Sequence, residues 1–213
     1  SSTSRGLGDV YKRQVMDVWC AIRTYPKHAV ELGNPIPQEP VFFLKSKSTI
    51  VPFGQIDTCG GDVHHEIELV LKIGENLEIT DMAIGLDLTK RSVQDNLKEQ
   101  KLPWAQAKSF RGAAVLGDWV PFDARAEYSL AVNGNETQFG SLKEMSWTPN
   151  ELLEKLAEWA PLQSGDILFT GTPAGVGPLT PNDVVIASLY IDKQLVLSLS
   201  LIHISEPTRR RGI

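Results

Sequence analysis

At 213 residues and 42% hydrophobic content, the chain is long enough to bury a sizeable core and fits one domain better than two. Its 21 Lys and Arg stand against 26 Asp and Glu, a formal charge of −5 that supplies no basic field for nucleic acid; a small anionic ligand would need a local cation. No apolar run reaches the roughly 20 residues that span a bilayer, and Cys20 and Cys59 lack C-x-x-C spacing, so the expectation is a cytoplasmic chain with reduced thiols and no membrane partner.

Residues 1–14, SSTSRGLGDVYKRQ, carry neither helical nor strand period, and 202–213 end in an arginine run after a strand pattern stops. Both are expected to be non-native or disordered, leaving 15–201 as a single domain. A nucleic-acid or membrane tail is the other reading of those basic residues. In PKHAVE, His28 and Glu31 are three apart, so on a helical turn they face the same way and can hydrogen bond. A lone His in a surface turn is also commonly inert. From Val63, HHEIELVLKI alternates, which in a strand places His64, Glu66, Glu68 and Val70 on one face and His65, Ile67, Leu69 and Leu71 on the other. KRSVQDNLKEQK has Val93 and Leu97 four apart and no Gly or Pro, a short helix ending before Pro103. Asn133-Gly134 between strand-like runs signals a hairpin. TPNELLEKLAEWAPL predicts a helix with Thr148 as N-cap, Pro149 at the first position, a capping box through Glu151, and Leu152, Leu156 and Trp159 on one stripe. DILFT, DVVIASLYI and LVLSLSL then read as strands separated by turn residues.

Glu66 and Glu68 project from one side of a strand, where two like charges repel unless a cation or protons lie between them. Asp87, after the apolar stretch MAIGL, opens the following helical segment and could meet them from a neighbouring element. Three hard oxygen anions without a thiolate suit Mg²⁺ or Mn²⁺ rather than zinc. Glu-x-Glu on a strand is also how a solvated face looks.

VHHEIELVL, GLDLTKRSVQ, LPWAQAKSF and LFTGTPAGVGP occur in the order and approximate spacing of the fumarylacetoacetate hydrolase family, and CAIRTYPKHAVELGNPIPQEPVFFLK is similar to its N-terminal signature. The resemblance runs from about Cys20 to about Leu201 and is nearest to small, single-domain members acting on acylpyruvates, oxaloacetate or related oxo-diacids. It implies an α+β fold, a mixed β-roll with flanking short helices, one Mg²⁺ or Mn²⁺ per chain, a small 2-oxo acid substrate and a homodimer. It makes Glu66, Glu68 and Asp87 the metal ligands and Arg23, Arg91, Gln94 and Thr172 substrate contacts. Lys108 becomes the lysine that stabilises developing negative charge, and His28 with Glu31 the pair that activates water. The implied reaction is metal-dependent cleavage of a carbon–carbon bond in acylpyruvates such as fumarylpyruvate or acetylpyruvate. Oxaloacetate decarboxylase or tautomerase, a 2-hydroxyhepta-2,4-diene-1,7-dioate isomerase-like enzyme and an inactive scaffold are the alternatives.

The chain departs from the family pattern at Ile22 (often Gly), Thr24 (often Asn), Ser92 (often Asp) and Arg111, where FD often follows the lysine motif. The stretch between Glu68 and Asp87 is short, as if much of a helix before GLDL were missing, and 122–128 is abbreviated. These shortenings predict local disorder around Thr80 to Ala83 and could displace Asp87.

Overall fold

The computed structural model describes residues 16–33, 35–57, 62–201 and 203–205, so Cys59 and most of both expected end segments lie outside the described residues. In chain order the elements are β1 (Val18–Ile22), α1 (Pro26–Glu31), β2 (Val41–Lys45), β3 (Ile50–Pro52), β4 (Gln55–Asp57), β5 (Val63–His65), β6 (Ile67–Ile73), β7 (Ile79–Asp87), β8 (Thr89–Lys90) and α2 (Arg91–Glu99). There follow α3 (Ala105–Lys108), β9 (Ala114–Leu116), β10 (Val120–Pro121), β11 (Ala126–Val132), β12 (Asn135–Ser141), α4 (Pro149–Ala157), β13 (Ile167–Phe169), β14 (Gly177–Pro178), β15 (Val185–Ile191), β16 (Gln194–Leu201) and β17 (His203–Ser205).

An eight-stranded sheet in the order β2-β1-β13-β6-β7-β9-β3, with β10 added alongside β7, packs against a four-stranded sheet, β12-β11-β15-β16. The larger sheet is mixed, because β1 runs parallel to β13 and β3 to β9. The expected mixed β-roll of the α+β class is therefore the fold observed. One face of β6 and β7 supplies Leu69, Leu71, Ile84 and Leu86 to a core shared with Tyr128, Leu130 and Leu189 of the second sheet. Fully burying side chains of this size contributes roughly 1.5–3 kcal/mol each. The opposite face carries Val70, packed with Val18, Cys20 and Phe169. Glu68 precedes Val70 by two residues and so shares its side of the strand. Gly85 on β7 allows this layer to close, since a Cβ there would lie 2.6 Å from both Phe169 and Val70.

Several local expectations hold with their chemistry visible. The hairpin between β11 and β12 turns through Asn133 (φ 52°) and Gly134 (φ 78°), both in the left-handed region. At α4, Glu151 N–H donates to Thr148 Oγ1 (3.3 Å) and Thr148 N–H to Glu151 Oε2 (2.7 Å), the reciprocal capping box.

Other expectations are corrected. Trp159 is 61% exposed, because α4 ends at Ala157 and the chain tightens before Pro161, which disfavours helix in the residue ahead of it. Its ring instead stands edge-on to Trp19 with centroids 5.5 Å apart. The second helix starts at Arg91 rather than Asp87: Thr89 and Lys90 first pair with His64 and Val63, extending the strand conformation by one short ladder. Thr80 to Ala83 are ordered. They lie within β7, where Met82 sits opposite both Leu71 of β6 and Val120 of β10. The shortened segment closes as a tight turn instead, with Gly74 N–H donating to Glu78 O (2.8 Å) and Leu77 at φ 57°. The abbreviated 122–128 stretch is closed by Ala126 N–H on Asp123 O (3.1 Å) and by Arg125 bound to Asp123 and Asp192.

Candidate metal centre and cleft

The site forms where the paired strands β6 and β7 end. Glu66 lies in the break between β5 and β6, Glu68 on β6 and Asp87 at the last position of β7, and Asp87 N–H donates to Glu66 O (2.9 Å). This pairing brings one carboxylate oxygen from each of the three residues within 4.8 Å of one another, all of them buried. The short β6–β7 turn therefore does not displace Asp87: the register of the two strands, not the length of their connection, sets its place.

Three cations face the carboxylates. Lys108 Nζ donates to Glu66 Oε2 (2.8 Å) and Asp87 Oδ2 (2.7 Å), and Arg91 Nη2 donates to Glu66 Oε1 (2.5 Å) while its Nη1 reaches Gln94 Oε1 (2.8 Å). Lys45, whose side chain is 0% exposed, lies 2.6 Å from Asp87 Oδ1. It donates to the carbonyls of Leu88 (3.3 Å), Lys108 (2.5 Å) and Ala113 (2.8 Å). The Lys45 contact with Asp87 is an ion contact without hydrogen-bond alignment, so Asp87 Oδ1 is a buried oxygen with no hydrogen-bond donor. That free lone-pair capacity, with three hard oxygen ligands close together, fits an oxygen-seeking divalent cation. Burying several charges adds little net stability, so a cluster of this kind marks a functional site more than a structural one.

The charges set the proton affinities. Burial works against ionisation of Glu66, but Lys108 and then Arg91 outweigh it and hold the carboxyl down at about 2. Glu68 goes the other way: burial first and Asp87 second push it well above the usual carboxylate range, against the Gly171 N–H bond on its Oε2 (2.7 Å). Lys108 is raised despite burial, because Asp87 and Glu66 favour its charged form.

Glu66, Glu68, Asp87, Arg91 and Lys108 form the floor of an open cleft that also takes in Arg23, His28, Gln94, Lys98, Trp104, Gly171 and Thr172. Of the residues singled out in the sequence, all but Glu31 line it. Glu31 lies behind His28, its Oε2 accepting from Nδ1–H at 3.1 Å, and it receives Gly175 N–H on both oxygens. Arg23 sits at φ 57°, a conformation L-residues rarely adopt, at the point where β1 turns into the cleft wall. The Thr172 hydroxyl donates to Ile67 O (2.8 Å) and accepts from Gln138 Nε2 (2.9 Å).

Among the cationic side chains here, Lys45 and Lys98 are the two that sequence reasoning missed. Lys98 follows Arg91 by seven and Gln94 by four, so the same helical stripe pointed to it. Lys45, at the end of VFFLK, carried no such signal. Replacing Lys45 with Met strips the ammonium from the carbonyls of Leu88 and Lys108, leaves Ala113 O with Leu88 N–H alone and Asp87 with Lys108 as its remaining neighbouring cation, with an expected loss of about 3 kcal/mol. Urea unfolding measures this, and a variant as stable as the parent would refute the importance given to the contact.

Residues 17–197 match the family described as fumarylacetoacetate (FAA) hydrolase, C-terminal. The oxaloacetate tautomerase YcgM of Escherichia coli (strain K12) is 35% identical over 191 residues, covering 79% of this chain and 86% of that one. A crystal structure of a fumarylacetoacetate isomerase/hydrolase-like protein from Oleispira antarctica superposes with a TM-score of 0.85 at 38% identity, over 90% of this chain and 95% of that one. The fumarylpyruvate hydrolase of Pseudomonas aeruginosa, crystallised with Mn²⁺ and pyruvate, gives 0.80 at 30% identity, over 89% and 90%. Sequence and fold agree along nearly the whole described length, β1 through β16, and on that ground the chain belongs to the fumarylacetoacetate hydrolase family.

Proposed function

We propose that the chain is an enzyme that moves a proton at the carbon beside the keto group of a small 2-oxo dicarboxylate, oxaloacetate foremost, with Mg²⁺ or Mn²⁺ held by Glu66, Glu68 and Asp87. The observation that carries this reading is the convergence of those three buried carboxylates in one cleft with a His–Glu pair. Charge supports the substrate class. With the three acids ionised, Lys45, Lys108 and Arg91 already balance them, so a divalent cation leaves two positive charges for a dianion to meet. The oxaloacetate tautomerase relative and the neighbour holding Mn²⁺ and pyruvate point the same way.

Bound at these ligands, the cation would polarise the keto and carboxylate oxygens of a chelating 2-oxo acid and acidify the neighbouring carbon. The chain's own groups do the rest. Glu31 engages His28 Nδ1, which leaves Nε2 as the atom that takes the proton from carbon and returns it. Lys108, with its raised proton affinity, acts as a fixed positive charge rather than as a proton donor. Arg91 and Arg23 present guanidinium groups to the substrate carboxylates, and Gln94 holds Arg91. Because the Thr172 hydroxyl hydrogen is engaged by Ile67, the contact it would make with a carboxylate is through its backbone N–H.

Hydrolysis of acylpyruvates is the second reading, favoured by the fumarylpyruvate hydrolase neighbour. There His28 would draw its proton from water instead of carbon, and the water oxygen would attack the distal carbonyl. To separate the readings, the enol absorbance of oxaloacetate, pyruvate release, and cleavage of acetylpyruvate and fumarylpyruvate are followed with Mg²⁺, with Mn²⁺ and after EDTA. Loss of enol without matching pyruvate is the expected result. Absence of metal-dependent turnover with all of these acids would refute the proposal.

A further inference from the structure

One short turn touches both halves of the proposed chemistry. At its start, Gly171 N–H donates to Glu68 Oε2 (2.7 Å). At its end, Gly175 N–H donates to Glu31 Oε1 (3.0 Å) and Oε2 (3.2 Å), and Glu31 in turn holds His28. The middle is gripped from the second sheet. Gln138 on β12, 1% exposed, donates through Nε2 to Thr172 Oγ1 and to Pro173 O, both at 2.9 Å. Its Oε1 accepts Ile67 N–H (3.1 Å) and meets His65 Nδ1 (2.9 Å).

These four contacts use both donors and both acceptor positions of the amide, which fixes its orientation. An oxygen facing a second donor requires that His65 carry its proton on Nδ1. The fit between turn and strand is close. Gly175 has φ +96°, and a Cβ there would lie 1.9 Å from Thr137 O of β12. Thr24 secures the other end, its hydroxyl donating to Thr170 O (2.6 Å) where a Cβ on Gly171 would collide with it.

We infer that Gln138 is a positioning residue: by clamping the 171–175 turn to the second sheet, it registers the Glu31–His28 pair against the carboxylate trio. The inference rests on the proton-transfer role proposed for that pair. Gln138 itself touches no substrate. Its effect passes through Gly175 to Glu31, while Glu68 remains anchored by the β6 ladder to β7 and β13.

The test uses the full chain loaded with Mn²⁺. Gln138→Glu retains an oxygen for Ile67 and His65 but removes both donors to the turn. Turnover of oxaloacetate is expected to fall on the order of 10- to 100-fold in kcat, as for small misplacements of a catalytic group, with Mn²⁺ and oxalate affinities unchanged. Combined with Glu31→Gln, the substitution should add almost nothing to the loss from Glu31→Gln alone, whereas a merely structural defect would multiply with it. Multiplying losses, or equal weakening of Mn²⁺ binding, would overturn the inference. An activity-independent readout is hydrogen exchange at the Gly175 amide, protected in the parent and unprotected in Gln138→Glu; retained protection would also overturn it. Should that variant not fold, Gly175→Ala, whose Cβ pushes the turn off Thr137, is read by the same two measures. A parent chain without turnover would sink the proposed function and still leave the Gly175 amide to decide the clamp.

Discussion

Replacing Glu68 with Gln should abolish divalent-cation binding and lower turnover of 2-oxo acids by about a thousandfold, since losing a Lewis acid forfeits several kcal/mol at 1.36 kcal/mol per decade. The same substitution should scarcely alter the stability of the metal-free chain. Burial and Asp87 raise the Glu68 carboxyl well above its usual range, so the metal-free site favours the uncharged form more than an ordinary carboxyl does, and Gln is a near isostere of that form. A Gln oxygen can still accept Gly171 N–H, the bond Glu68 makes at 2.7 Å. The contrast then appears on adding Mn²⁺. At a hundred times Kd, a ligand that binds only the folded state stabilises it by about 2.7 kcal/mol, and a domain of about 200 residues gains roughly 2–4 °C per kcal/mol. A rise in melting temperature of several degrees is thus expected for the parent and none for the variant. The sign with pH follows from the same proton. Since the cation requires the carboxylate and the free site favours the acid, binding releases a proton and weakens as pH falls. Thermal melts and calorimetry with and without Mn²⁺, at several pH values, test all of this. Equal Mn²⁺ shifts in both proteins would remove Glu68 from the ligand set.

How far the site was legible in the sequence depends on whether geometry is carried by local period. Glu66 and Glu68 are two apart, so the strand period already turns them the same way, although Glu66 itself lies in the break just before β6 and is held there by Asp87 N–H on its carbonyl. The Thr148 capping box and the Asn133-Gly134 turn are likewise fixed by three or four adjacent residues, and both formed as read. Asp87 was legible as a partner but not as to its element, because whether a chain continues as strand through Thr89 depends on β5 being there to pair with it. Lys45 and Gln138 were not legible at all. Each reaches the site from a different strand, β2 and β12, and each looks like an ordinary surface residue beside its apolar neighbours. Their importance lies in long-range contacts: Lys45 with carbonyls 43 to 68 residues away, Gln138 with groups 34 to 73 residues away. The expectation of disorder near Thr80 failed for a related reason. It inferred a loss from a shortened connection, when strand register and burial of Met82, Ile84 and Leu86 hold β7 in place whatever joins it to β6.

Replacing His28 with Asn should lower kcat by about 10²- to 10⁴-fold, the usual contribution of a general acid–base group, while leaving Mn²⁺ and oxalate binding intact. The separation of effects follows from the layout. His28 is carried by α1 and tethered through Glu31 to Gly175, whereas the carboxylate trio sits at the paired ends of β6 and β7, so the two sets rest on different elements that are bridged by the 171–175 turn. A variant that loses metal as well as turnover would show that His28 is part of the cation site or of its folding. A variant that keeps full turnover would remove it from the chemistry. The pattern across substrates carries further information. Decarboxylation of oxaloacetate needs no base, so pyruvate release should persist in His28→Asn more than enol conversion does. Acylpyruvate cleavage needs an activated water and should fall as steeply as enol conversion. If only acylpyruvate cleavage collapses while enol conversion survives, the pair serves water rather than carbon, and the hydrolytic reading displaces the tautomerase one.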